Sequence, residues 1–134
     1  MKYLVDTDWI IHALHGKEKE VTKLLELKKD GLAISVISLA ELYEGVYRSA
    51  DPISNETVLK EFLSGVMVLE INEEISKKFG ELRAKLRTQG KLIGDFDLLI
   101  ASTGLCYNLT LLTYNINEDL HKIVWVSLIT PLII

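Results

Sequence analysis

The sequence predicts an α/β domain built on a short, mostly parallel sheet covered by helices. Two observations carry this expectation. Short apolar runs rich in Val, Ile, Leu and Thr (Tyr3–Val5, Leu32–Ile37, Val66–Ile71, Leu109–Tyr114 and Ile123–Leu128) alternate with longer segments of helical period. That order is the signature of strand–helix–strand connectivity. The runs also lack the in/out alternation of a one-sided sheet, which predicts strands buried on both faces.

Each element has a local reason. The first run ends at Asp6, and a helix through Trp9–Leu14 follows, with Asp8 placed to cap it. After the second run, Leu39, Leu42, Tyr43, Val46 and Tyr47 draw one apolar helical stripe, with Glu41, Glu44 and Arg48 opposite. Ser38-Leu39-Ala40-Glu41 fits a capping box, which puts Glu41 in the first turn of that helix. Ser-Ala-Asp-Pro at 49–52 ends it, and Ser54 or Asn55 is placed to cap the next. Ile75, Phe79, Leu82 and Leu86 form a third stripe, with Gly90 as its stop. Asp95 follows Gly94 as a natural N-cap, and 96–107 is apolar nearly all round, so a buried helix holding Cys106 in the core is expected. The ending Thr130-Pro131-Leu132-Ile133-Ile134 reads as a last edge strand or a docked tail.

A chain of 134 residues is expected to form one domain, 1–134, with a core of its own. Fifteen Lys and Arg against nineteen Asp and Glu leave a net charge of −4, so no general basic surface announces nucleic acid. The single cysteine excludes an internal disulfide and suits a reducing compartment. An acid at Asp6 comes too early for a signal peptide, and no apolar stretch approaches the roughly 18 residues of a membrane span. A cytoplasmic protein with no membrane partner is the expectation.

Ligands of an open parallel sheet bind beyond the carboxyl ends of its strands. The acids gather there. Asp6 and Asp8 follow the first run, Glu41 the second, and Asp95 and Asp97 open the buried helix; Thr113 and Asn115 end the fourth run, with Glu118 and Asp119 behind them. Capping accounts for each acid singly, but not for acids from four segments meeting at one edge. Clustered carboxylates repel and raise one another's pKa. A hydrated Mg²⁺ relieves this with only one or two direct carboxylates, and Mn²⁺ accepts similar ligands. Such a site suits phosphodiester hydrolysis. Zinc is excluded, because His12, His15 and His121 make no ligand spacing with Cys106. No glycine motif cradles a nucleotide, and Trp9 and Trp125 read as core or interface residues. Against the global charge, 77–91 carries Lys77, Lys78, Arg83, Lys85, Arg87 and Lys91 against Glu81 alone. That basic approach suits a polyanion, with Lys85, Arg87 and Lys91 as candidate substrate contacts.

Four blocks then resemble a known family: Leu4-Val5-Asp6-Thr7-Asp8, Ser38-Leu39-Ala40-Glu41-Leu42-Tyr43-Glu44-Gly45, Ile93-Gly94-Asp95-Phe96-Asp97-Leu98-Leu99-Ile100-Ala101 and Leu111-Leu112-Thr113-Tyr114-Asn115. In order and spacing they are similar to the blocks of the PIN domain, and more closely of the VapC toxins of toxin–antitoxin pairs. The resemblance covers nearly the whole chain, through about Val124. It implies a three-layer α/β/α fold and a Mg²⁺- or Mn²⁺-dependent endoribonuclease. By resemblance, Asp6, Glu41 and Asp97 match the metal-site acids, Asp95 is an additional acid, and Thr113 and Asn115 match the polar pair after the fourth strand. The fourth acid falls where this chain carries one extra residue. Counting forward from Asn115 selects Glu118, and counting back from Leu120 and Ile123 selects Asp119, the favoured choice. The ending from Trp125 departs from the family's closing strand.

The resemblance also implies a homodimer and a small antitoxin seated near the active site. Tyr43, Val46 and Tyr47 near Leu59, Phe62 and Leu63 offer apolar surface beyond the needs of a small core, which agrees. Two other functions compete. A receiver-like Mg²⁺-binding signalling domain needs an Asp ending a middle strand and a Lys after a late one. Leu69-Glu70-Ile71-Asn72 and Leu112-Thr113-Tyr114-Asn115 supply neither. A non-catalytic PIN-like interaction module would have lost an acid, yet Asp6, Glu41 and Asp97 are all present.

Overall fold

The computed structural model describes residues 2–90 and 93–114. Strand β1 (Tyr3–Val5) leads into α1 (Thr7–Leu14) and α2 (Glu18–Lys28), and β2 (Leu32–Ser35) into α3 (Val36–Arg48) and α4 (Pro52–Leu63). Then come β3 (Met67–Leu69), α5 (Glu73–Thr88), α6 (Asp95–Tyr107) and β4 (Thr110–Leu112). The described strands pair in the order β3-β2-β1-β4, every pair parallel, as expected.

Both sheet faces are covered. Leu4, Ala33 and Leu111 pack on one side with Leu82 and Leu86 of α5 and Leu98, Ile100 and Ala101 of α6. Tyr3, Val5, Leu32, Ile34 and Leu112 pack on the other with Trp9, Ile10, Leu24, Leu42, Val46 and Leu59 from α1 to α4. Alternate strand residues thus serve different cores, and this is why the runs are apolar throughout. Asp6 prolongs β1: its amide donates to the Leu112 carbonyl at 2.9 Å before the chain turns into α1. The carboxyl ends of β1 and β4 therefore meet at Asp6 and Thr113.

Several boundaries differ from expectation, each for a local reason. The second run stops at Ser35, whose hydroxyl accepts from the Ile37 amide and caps α3, so Val36 and Ile37 are helical despite their β-branching. Asp6, not Asp8, caps α1. Asp51 caps α4 ahead of Pro52, displacing Ser54 and Asn55. Gly94 precedes α6, so Asp95 is its first residue and not its cap. Gly90 does follow α5, with φ +68°, a conformation that favours glycine. Cys106 is half-buried instead of core, its thiol 3.7 Å from the Glu74 carbonyl. The apolar surplus expected around α3 and α4 is mostly consumed: Val46 and Leu59 are buried and Tyr43, Phe62 and Leu63 pack against them, leaving Tyr47 exposed. The run 123–128, Trp125, His121 and the tail 130–134 lie outside the described residues.

Candidate metal and active site

One pocket of about 320 Å³ opens beyond the carboxyl ends of β1 and β4, lined by Asp6, Thr7, Asp8, Glu41, Asp97 and Tyr114. Acids distant in sequence are thus brought together. Asp6 is its buried centre. One carboxylate oxygen, Oδ1, accepts from the Thr7 amide at 2.8 Å, and the other, Oδ2, from the Thr113 hydroxyl at 2.7 Å. Both partners are neutral. Burial raises the Asp6 pKa; the Thr113 and Thr7 hydrogen bonds pull it back, and the negative charges of Asp97 and Asp8 push it further up. Among the described residues no Lys or Arg forms an ion pair with Asp6, Asp8 or Glu41.

Glu41 lies in the second turn of α3, because the helix starts at Val36 and not after Ser38. The capping box is therefore absent. Ser38 is fully buried, and its hydroxyl sits 2.9 Å from that of Thr7, which lies 2.6 Å from Glu41 Oε1. A carboxylate only accepts, and Thr7 has one proton to give, so the chain runs from Ser38 to Thr7 to Glu41. Thr7 links the Asp6 and Glu41 acids through its amide and its hydroxyl. Sequence reasoning passed over it; the signal was its place between Asp6 and Asp8.

At the start of α6 the two acids divide. Asp97 is half-buried and lines the pocket, with its Oδ2 3.5 Å from where a Cβ on Gly94 would stand. Asp95 is exposed and pairs with Arg83 of α5. Arg83 and Arg87 line a second pocket of about 300 Å³ with Gly94 and Asp95, while Lys85 is exposed and outside it. Thr113 is buried against Asp6 as described. Lys91, Asn115, Glu118 and Asp119 lie outside the described residues. Phe96, between Asp95 and Asp97, is 54% exposed.

Among the described residues no three His, Cys, Asp or Glu side chains stand close enough to form a ready-made metal cage. The donor set still fits a hydrated ion. Among the described residues each Asp6 oxygen spends one lone pair on a neutral donor and keeps another, and Mg²⁺ asks for only one or two direct carboxylates.

With this geometry in view, the comparisons with known proteins decide the family. The PIN domain matches residues 3–124. Ribonuclease VapC2 of Rickettsia felis is 38% identical over 120 residues, covering 88% of this chain and 90% of the relative. The chain belongs to the VapC group of PIN-domain ribonucleases. A tRNA(fMet)-specific endonuclease VapC from Shigella flexneri is 30% identical, covering 88% of this chain and 89% of its own length. In solved structures, VapBC2 from Rickettsia felis, bound to a DNA fragment from its promoter, superposes with a TM-score of 0.86 at 33% identity, covering 98% and 99% of the two chains. The acidic pocket thus stands in a VapC fold. The receiver alternative is overturned by the same match.

Proposed function

We propose that this chain, one domain over 1–134, is the toxin of a toxin–antitoxin pair and hydrolyses RNA phosphodiester bonds in the cytoplasm. The observation that carries the proposal is a buried Asp6 whose hydrogen-bond partners among the described residues are both neutral, sharing a pocket with Asp8, Glu41 and Asp97. PIN-domain VapC nucleases depend on a divalent metal. Here Asp6 and Asp97 would hold it, with Mg²⁺ the first choice and Mn²⁺ the second, and Glu41 and Asp119 (or Glu118) would act on it directly or through water. When bound, such an ion shields a phosphate's charge and lowers the pKa of a water nucleophile.

The chain's own residues do the rest. Thr113 holds Asp6 in place, Thr7 couples Asp6 to Glu41, and Thr113 or Asn115 orients a phosphate oxygen or the attacking water. Asp95 is supporting: its charge is spent on Arg83. Lys85, Arg87 and Lys91 draw the strand toward the acids, which makes binding salt-sensitive. The partners proposed are a second copy of the chain and a small antitoxin. No helix among the described residues is long and apolar enough to cross a membrane. The test is cleavage of initiator tRNA, the substrate in the Shigella relative's name, with Mg²⁺ and with excess EDTA. Cleavage only with Mg²⁺ is expected; robust cleavage in EDTA, or none of any RNA, overturns the proposal.

A further inference from the structure

Tyr114 stands apart in the acidic pocket, because it is a neutral ring among four carboxylates. Its position is over-determined. The ring lies nearly parallel to Trp9, with centroids 5.1 Å apart and planes 12° apart, and tilted against His12 at 5.0 Å. Trp9 is 1% exposed and forms a rigid backing. The Tyr114 hydroxyl sits 3.2 Å from His12 Nδ1 and also engages the buried Glu20 carboxylate of α2. Together with the Trp9 stack, these two polar neighbours hold the ring plane from different sides. Burial, then the hydrogen bond and negative charge of Glu20, push this phenol up to about 12, so it stays neutral.

Filling the core would require only an apolar side chain on Trp9. Here two polar groups fix the ring's plane, and the ring is half-buried, still facing the pocket. Thr113, the preceding residue, bonds Asp6 at 2.7 Å, so the ring is held one residue from the catalytic acid. A ring with its rotamer already locked loses little entropy when it binds. A nucleobase is the flat, apolar part of a ribonucleotide whose phosphate enters the pocket. We propose that Tyr114, backed by Trp9 and pinned by His12 and Glu20, is the stacking platform for the base beside the phosphate at the acidic pocket. This rests on the ribonuclease proposal above and deepens it by naming a base-contacting residue.

The test compares a fluorescein-labelled oligoadenylate with an abasic ribose–phosphate strand of equal length, by anisotropy at low salt, with Ca²⁺ replacing Mg²⁺. One stacked base is worth roughly 1–3 kcal/mol, so the oligoadenylate should bind wild type about tenfold tighter. Tyr114→Leu, which keeps apolar volume on Trp9, should close that gap, while Tyr114→Phe should keep most of it. A strand carrying 5-iodouridine should photocrosslink to Tyr114 in the wild-type protein, a readout that needs no variant. Equal binding of the two strands, a gap that persists in Tyr114→Leu, or crosslinks that avoid Tyr114 would overturn the platform. Failure of both strands to bind would instead sink the ribonuclease proposal beneath it.

Discussion

Two helices of this domain start with an aspartate near the same sheet edge, and their surroundings are opposite. At the start of α6, Asp95 is exposed and faces the Arg83 guanidinium, so the protein itself balances its charge. At the start of α1, Asp6 is buried; its oxygens meet the Thr7 amide and the Thr113 hydroxyl, and Asp97 and Asp8 add to its negative field. The contrast separates two uses of one residue type. Asp95 belongs to an exposed ion pair, a class worth about 0–1 kcal/mol. Asp6 is buried with no cationic partner among the described residues, a placement that costs stability and on which the proposed metal site rests.

The comparison breaks most visibly at Asp6. Asp6→Asn keeps the shape and removes the charge, so RNA cleavage should fall by at least about a thousandfold, the several kcal/mol a metal supplies. Stability should move the other way. Because the folded pKa of Asp6 is raised, the metal-free fold binds this proton more tightly than the unfolded chain does. The resulting penalty is absent below the ordinary value of 3.8 and complete once the pH exceeds the raised one. Metal-free Asp6→Asn should therefore melt at or above wild type at neutral pH, with the advantage fading as the pH falls toward 3.8; a lower melting point at neutral pH contradicts this.

Glu41→Gln sharpens the comparison next. Gln can still accept from Thr7, and no cap is at stake because Ser35 caps α3. Cleavage should drop by about a hundredfold while the melting curve shifts by less than about 1 kcal/mol. Thr113→Val keeps the side-chain shape but removes the hydroxyl that holds Asp6 Oδ2, and should weaken metal affinity about tenfold in a titration of activity against Mg²⁺. Asp95→Asn comes last: with only an exposed pair lost, cleavage should stay within about fivefold of wild type. A collapse of Asp95→Asn to the level of Asp6→Asn would erase the distinction.

How far the sequence reached can be judged on the same residues. The fold was legible because apolar runs and helical stripes are local patterns, and each described strand falls within a predicted run. Helix starts were less so. Val36 and Ile37 look like strand continuation, and only the Ser35 cap shows that the chain has turned. That shift moved Glu41 from a first-turn cap to a second-turn acid facing Thr7. The gathering of Asp6, Asp8, Glu41 and Asp97 was readable from their places just past a strand or near a helix start, since parallel topology carries those points to one edge. Asp95 was not readable, because its partner Arg83 lies twelve residues away on another helix. Thr7 and Tyr114 escaped for the same reason: their partners at 38, 41, 9, 12 and 20 are assembled by packing, and no spacing announces them.

The most direct test of this account is Mn²⁺ binding, followed by electron paramagnetic resonance, in wild type, Asp95→Asn and Asp6→Asn. Wild type and Asp95→Asn should bind the ion with similar affinity, and Asp6→Asn should lose at least about tenfold. Mn²⁺ bound equally well by Asp6→Asn, or by none of the three proteins, would contradict the claim that the buried charge of Asp6 is there to hold a cation.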